Sequence, residues 1–215
     1  MIYVSTGGYK SISFLGAIEE LSKAGITAFE LSGGKFSLDA PKKISALSKK
    51  FHLVLHNYFP PPENPFVLNL ASMRDDIAGV SMDHVLQAIE ISHLIGAKFY
   101  SFHAGYLIDP PSHELGFEIT KTVINDREEA LHLFIARANK LAAYAEGKGV
   151  KLLVENNVLS SANYDSFGKN PFLMVDTVET EKILTNSHNN LGLVIDVAHL
   201  KVSANALDFS KSDFL

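Results

Sequence analysis

Four strand-like apolar runs each end in a polar side chain of a kind that binds metals. They are Phe51–His56 (FHLVLH), Phe99–His103 (FYSFH), Lys151–Glu155 (KLLVE) and Leu191–Asp196 (LGLVID). A parallel strand covered on both faces reads as a near-continuous apolar run, so a His, Glu or Asp at its tip breaks the pattern. If the runs are neighbouring strands of a parallel barrel, their carboxyl ends converge on the face where such barrels carry active sites. His56, His103, Glu155 and Asp196 therefore make a multi-ligand metal centre the leading expectation. Imidazole and carboxylate are the usual non-sulfur ligands of zinc and manganese. A buried, unpaired Glu and Asp would otherwise carry a large desolvation penalty.

The chain has no cysteine, so disulfides, thiolate metal sites and a cysteine nucleophile are excluded. Any metal must be held by nitrogen and oxygen. The N-terminus, MIYVSTGGYK, has no basic n-region, and no 18-residue apolar stretch occurs, which sets a cytoplasmic protein without membrane contact as the expectation. A net charge of −5 gives no global basic footprint for nucleic acid.

Strand and helix patterns alternate throughout. Strands are expected at Ile2–Thr6 and Ile26–Leu31 ahead of the four runs above, and helices at Ile12–Ala24, from Pro41 to the Lys49-Lys50 pair, Ser81–Ile95 and Arg127–Glu146. Gly25 and Gly96 are read as helix stops, and Gly147 as the residue after the fourth helix. Asp176-Thr177-Val178-Glu179 resembles a capping box. Such alternation implies a parallel sheet with helices outside, here as six βα units of which the last is barely begun. From the third strand onward the tips lie further apart, the extra length falling in Gly105–Asp126 and Asn157–Pro171, read as long loops shaping a substrate pocket. An eight-unit barrel takes roughly 250 residues, so this 215-residue chain is expected to be an incomplete barrel. Its open edges, together with an apolar tail at Leu207–Leu215, point to homo-oligomerisation or marginal stability.

Among the remaining candidates, His199 follows Asp196 by three residues in the turn leaving the sixth strand and can bind a further ion or a substrate hydroxyl; a solvated loop histidine is the alternative. Glu30, near the tip of the second strand, can anchor a substrate or brace a histidine; an ion pair with a neighbouring lysine is the alternative. His84, His93, His132 and His188 are read as solvated or capping, and His52 as structural. His113 is left undecided. The glycine pairs at 7–8 and 33–34 extend to no phosphate-binding motif.

At these residues the chain resembles the xylose isomerase-like TIM barrels, a superfamily of sugar isomerases and epimerases, inosose dehydratases and endonuclease IV. The resemblance runs over nearly the whole chain, which is read as one domain, 1–215, of an α/β (β/α)8-type TIM barrel with about six βα units. His56, Phe66-Val67-Leu68-Asn69-Leu70-Ala71-Ser72, Phe102-His103-Ala104-Gly105, Val154-Glu155-Asn156 and Ile195-Asp196-Val197-Ala198-His199 look most like endonuclease IV. That likeness implies a zinc cluster, with His56, His103 and Glu155 on one ion, Glu155 bridging to a second with Asp196, and His199 on a third. The run Ala104-Gly105-Tyr106-Leu107 departs from the Pro-Gly-Ser-His of endonuclease IV, and the glycine-rich stretch expected after Glu155-Asn156 is absent. The epimerase branch implies instead one divalent ion on Glu155 and Asp196 with two ligands from later strands, and a substrate-contacting His199. The expectation is thus a metal-dependent sugar or sugar-phosphate isomerase or epimerase, with zinc or manganese as one or more ions, Glu155 or a carboxylate from later strands as the proton-moving residue, and Glu30 and His199 on the substrate. Its alternatives are an endonuclease IV-like phosphodiesterase acting on abasic DNA, and a barrel that binds without catalysis.

Overall fold

The computed structural model of the chain describes residues 1–9 and 13–214. Six strands form one parallel sheet in sequence order: β1 (Val4–Ser5), β2 (Ala28–Leu31), β3 (His52–His56), β4 (Phe99–His103), β5 (Lys151–Glu155) and β6 (Leu191–Val194). Outside it lie α1 (Phe14–Lys23), α2 (Ala40–Leu47), α3 (Asp75–Leu94), α4 (Arg127–Gly147), α5 (Ser161–Phe167), α6 (Thr177–Thr185) and α7 (Val197–Leu207). Each strand pairs in parallel with the next, and β1 does not pair with β6, so the sheet is an open arc of the expected barrel.

Register and the two-residue strand period settle which side chains share a face. Glu30 lies opposite Val54, His56 opposite Ser101, and His103 opposite Glu155. One face thus carries Glu30, Val54, His56, Ser101, His103 and Glu155. The other carries Phe29, Leu31, Leu53, Leu55, Tyr100, Phe102, Leu152 and Val154, all buried in the main core. Helical residues Val85, Ile89, Phe134, Leu141, Ala145 and Ile183 complete that core. In β2 to β5 only the helix-facing side is uniformly apolar. The apolar runs are therefore a one-sided core with polar positions interleaved, rather than strands apolar on both faces.

Several boundaries differ from expectation for local reasons. Ile2 is 88% exposed and only two residue pairs join β1 to β2, so the first strand is far shorter than Ile2–Thr6. Ile12, the expected start of the first helix, lies outside the described residues; Ser13 caps α1 by accepting from the Gly16 N–H. The Lys49-Lys50 pair lies in the turn beyond α2. α3 begins at Asp75 rather than Ser81, its first turn holding Asp75 and Asp76, where carboxylates favour a helix start. Gly96 and Gly25 adopt positive φ as helix stops require, whereas α4 closes on Gly149 (φ 69°) and Gly147 is helical. The capping box is half made: Asp176 accepts from the Glu179 N–H, but the Glu179 carboxylate turns to Arg127 (2.6 Å) and the Met174 N–H (2.6 Å).

The two long connections fold against each other. Tyr106 bridges Phe172, Leu107 N–H donates to Pro171 O, and Leu173 N–H to Gly105 O. Ile108, Ile119, Leu159, Phe167, Phe172 and Val175 form a second buried cluster there. Asn157–Pro171 is not a plain loop, since it contains α5. The sixth unit is further advanced than expected, with α7 following at once, and Phe214 of the tail is buried rather than exposed. Leu215 lies outside the described residues.

Buried amides brace these loops. Asn69 Nδ2 donates to Tyr106 O, Ile108 O and Asp109 Oδ1, while its Oδ1 accepts from the Ala71 and Tyr106 N–H groups. The backbones approach so closely that a Cβ on Gly105 would meet Ala71 Cβ at 2.4 Å and Ala71 N at 3.0 Å. Gly105→Ala is expected to destabilise the fold by about 1–3 kcal/mol, as over-packing of a rigid contact does. A urea melt would show this as a lowered midpoint, and an unchanged midpoint would mean the loop gives way.

Candidate metal centre

The strand-tip residues are brought together where the register places them. Glu155, 5% exposed, sits between two imidazoles. His56 Nε2 lies 3.2 Å from its Oε2, and His199 Nδ1 lies 3.3 Å from its Oε1. The His103 ring packs beside both, with centroids 5.4 Å from His56 and 5.3 Å from His199. His199 Nε2 is 3.7 Å from Asp196 Oδ2. Among the described residues, two triads each bring their donor atoms within 4.8 Å of one another: His56, His103 and Glu155, then Glu155, Asp196 and His199.

Two placements depart from expectation. Asp196 lies beyond the end of β6 and is the N-cap of α7, its Oδ1 accepting from the His199 N–H at 2.9 Å. His199 stands in the first turn of α7, not in a loop, and is partly buried. Glu30 has no ion pair with a lysine among the described residues; it lies on the same face near enough to act on His56 and Glu155 through its charge.

Neighbouring groups fix the geometry. Ser101 Oγ, opposite His56 in the ladder, is 2.9 Å from His56 Nδ1, which turns Nε2 toward Glu155. His199 Nδ1 is 2.9 Å from Asn156 O. A carbonyl only accepts, so Nδ1 donates to it, which turns Nε2 toward Asp196. Asn156 and Asp196 are joined twice, Asn156 Nδ2 donating to Asp196 O (3.2 Å) and the Asp196 N–H to Asn156 Oδ1 (2.8 Å). Neither Ser101 nor Asn156 is a site candidate on sequence reasoning; the polar residue two before a strand-tip His, and the amide directly after a strand-tip Glu, are the signals that point to them.

Burial dominates the protonation states. It pushes Glu155 up to about 8, helped by the Asp196 and Glu30 carboxylates. Burial also depresses His103 well below the usual imidazole value, with His56 and His199 adding to it, and lowers His56. At neutral pH the His56–Glu155 contact therefore joins a neutral imidazole to a protonated carboxylic acid and is no ion pair. Such a donor set fits a divalent cation: it is all nitrogen and oxygen, and His103 Nδ1 is buried without a hydrogen-bond partner among the described residues. His84, expected to be solvated, is instead 5% exposed and stacked on Tyr58 at 5.5 Å, with burial lowering its pKa to about 4.

A cavity of about 700 Å³ adjoins the cluster, lined by His103 and His199 with Asn57, Tyr106, Asn157 and Phe117 among others. A larger groove of about 1030 Å³ lies between the N-terminal ends of α4 and α6 and touches none of the strand-tip residues. Two ion pairs cross it, Arg127 with Glu179 at 2.6 Å and Lys182 with Glu128 at 2.5 Å, and Lys169 lines it as well.

Residues 18–209 match the family described as the xylose isomerase-like TIM barrel. The chain belongs to that family. The uncharacterized protein MJ1614 of Methanocaldococcus jannaschii is 28% identical over 145 residues, which make up 67% of this chain and 47% of that protein, so the chain matches about half of this relative's length. Among solved structures, a D-tagatose 3-epimerase-like protein superposes with a TM-score of 0.68 at 20% identity, covering 96% of this chain and 68% of that one. The TTHB071 protein from Thermus thermophilus, soaked with ZnCl2, gives a TM-score of 0.59 at 19% identity, covering 93% and 67%. These structural likenesses establish the fold as that of the family. No helix among the described residues is long and apolar enough to cross a membrane.

The protonation states fix a pH dependence for the metal-free protein. His56, His103 and His84 have folded pKa values below the unfolded imidazole value of about 6.5, so they add stability as pH rises toward that value, and nothing more above it. Glu155 has a folded value of about 8, above its ordinary carboxyl value, so its contribution is lost as pH rises toward 8. Between about pH 6.5 and 8 only the loss remains among these groups. Melting scans in chelator are expected to show a midpoint falling across that window, and saturating zinc or manganese is expected to restore it most at the alkaline end. A flat profile with no response to metal would refute the centre.

Proposed function

We propose that the chain forms the body, as a single domain, of a divalent-metal-dependent isomerase or epimerase acting on a small sugar. The supporting observation is the pair of ligand triads sharing Glu155 beside a cavity of about 700 Å³. Glu155, Asp196 and His199 would hold the first ion, His56 and His103 with Glu155 any second one, and zinc or manganese suits that nitrogen and oxygen set. When bound, the cation supplies positive charge that polarises a carbonyl and its neighbouring hydroxyl.

The chain's own residues do the rest. Glu155 moves the proton at the carbon beside the carbonyl: in an isomerisation it carries it between neighbouring carbons, and in an epimerisation a second acid on the opposite face would return one. His56 and His199 hold its two oxygens in opposite directions, and Ser101 and Asn156 hold those rings. Tyr106, on the cavity wall, is a neutral phenol pushed up to about 12 by burial and by Glu155. The apolar cluster formed by the two long loops keeps water from that side. Among the described residues the cavity lining has no lysine or arginine and includes Glu118, which favours an uncharged sugar over a phosphorylated one.

One observation favours a second reading, an endonuclease IV-like phosphodiesterase. His56 and His103 make a triad of their own with Glu155, and clustered ions suit phosphoryl transfer more than enolisation. The two readings separate experimentally. Under the first, Glu155→Gln lowers ketose epimerisation by about 10²–10⁴-fold, the range for a lost acid–base residue, and His56→Ala leaves the affinity for the first manganese ion nearly unchanged in a calorimetric titration. Cleavage of abasic DNA, with His56→Ala removing a zinc equivalent, would establish the second. Failure to bind either metal would leave a barrel that binds without this chemistry.

A further inference from the structure

Tyr106 lies just beyond the end of β4, in the connection that starts at His103, and its surroundings clamp it from two sides. Its N–H donates to Asn69 Oδ1 at 2.9 Å, and its carbonyl accepts from Asn69 Nδ2 at 3.1 Å. On the other side it bridges Phe172, and the two rings meet edge to face with centroids 5.3 Å apart. The flanking backbone is held as well, Gly105 O accepting from the Leu173 N–H and the Leu107 N–H donating to Pro171 O. Ring and backbone are thus fixed by contacts that make no use of the hydroxyl.

That hydroxyl has no hydrogen-bond partner among the described residues. It is also open to solvent, because the unpartnered side-chain polar atoms that the fold shuts away, among the described residues, are Asn57 Oδ1, His84 Nε2, Ser92 Oγ and His103 Nδ1. Tyr106 is partly exposed and lines both the cavity of about 700 Å³ that holds His103 and His199 and an adjoining one of about 280 Å³. Tyr58, the other phenol on these walls, is engaged: its oxygen accepts from the Phe66 N–H. Burial first, and then the charge of Glu155, keep the proton on the Tyr106 phenol, so the two groups lie within electrostatic reach of one another. A fixed phenol with an unused donor, sharing a cavity with the strand-tip histidines, finds its acceptor in what the cavity binds. The position is also one at which the chain leaves the endonuclease IV pattern, Ala104-Gly105-Tyr106-Leu107 standing where that pattern has Pro-Gly-Ser-His.

We propose that Tyr106 is a substrate-contacting residue, its hydroxyl donating a hydrogen bond to a sugar oxygen beside the carbon at which Glu155 moves the proton. As that proton leaves, negative charge grows on the neighbouring oxygen, and a donor already fixed there favours the charged form. The inference rests on the sugar reading given above, and on its cavity rather than on the identity of the metal.

Tyr106→Phe keeps the ring against Phe172 and removes only the hydroxyl. The test is calorimetric titration of D-tagatose, D-fructose and D-ribulose into wild type and Tyr106→Phe at saturating manganese, with manganese titrations and thermal melts of both. The expected result is that wild type binds at least one ketose and that Tyr106→Phe binds it about tenfold more weakly, the equivalent of one hydrogen bond. Manganese affinity is expected to stay within about threefold of wild type, and the melting midpoint to move by no more than a few degrees. A manganese affinity that falls in step with ketose affinity puts the effect at the ion and overturns the contact. A Tyr106→Phe that fails to fold, or melts far below wild type, overturns it as well, since the hydroxyl then serves the fold. Equal ketose affinity in wild type and Tyr106→Phe overturns the Tyr106 contact and leaves the sugar reading standing. Wild type binding none of the three ketoses overturns both.

Discussion

A carboxyl group buried with no cationic side chain beside it is the constraint around which the carboxyl end of this sheet is organised. Glu155 is 5% exposed, its near neighbours are two imidazoles and two further acids, and no lysine or arginine among the described residues pairs with it. Without a counter-charge the group stays protonated well above its usual range. A fold bears such a group only if the surroundings are rigid enough to hold it in place. The parallel ladder supplies that rigidity, since the His103–Glu155 and His56–Ser101 pairs are set by backbone hydrogen bonds rather than by the side chains themselves.

The loops depend on the same logic in neutral form. Asn69 and Asn157 each bond the backbone leaving β4, Asn69 at Tyr106 and Asn157 at Ala104 and Gly105. Arg137 of α4 adds bonds to the carbonyls of Leu70 and Ser72. An amide carries two donors and two acceptor positions without net charge, so it can satisfy irregular backbone in the interior where an ionised group would be unfavourable. The cavity wall is therefore held by buried amides and one guanidinium, with the apolar second cluster packed behind it.

What the sequence reveals follows from the same physics. His56, His103 and Glu155 stand out because a titratable residue at the end of an apolar run has few other reasons to be there, and the alternation of strand and helix patterns is enough to place those ends on one side of a sheet. The interleaved polar face is not legible, because His52, Val54 and His56 look like a broken apolar run until register assigns them to one side. Helix α5 is only seven residues long, too short for periodicity to declare it. His84 sits on a helix among polar neighbours and gives no sign of burial, since the ring that covers it, Tyr58, comes from a different connection. The amides are the least legible of all. Their partners are main-chain groups up to several dozen residues away, and main-chain groups leave no mark in a sequence.

Asp196 belongs to two structures at once. Its Oδ1 closes the first turn of α7 through the His199 N–H, and its Oδ2 faces His199 Nε2. Its backbone is clamped to the side chain of Asn156, one residue after Glu155. Helix α7 in turn holds Leu159 through Ser203, whose hydroxyl takes the Leu159 N–H and donates to Asn157 O. Whatever draws on the outer oxygen of Asp196 thus pulls on the start of a helix that is itself tied to the β5 loop. The first turn of α7, the strand tips and the β5 loop are thus joined through one continuous run of hydrogen bonds.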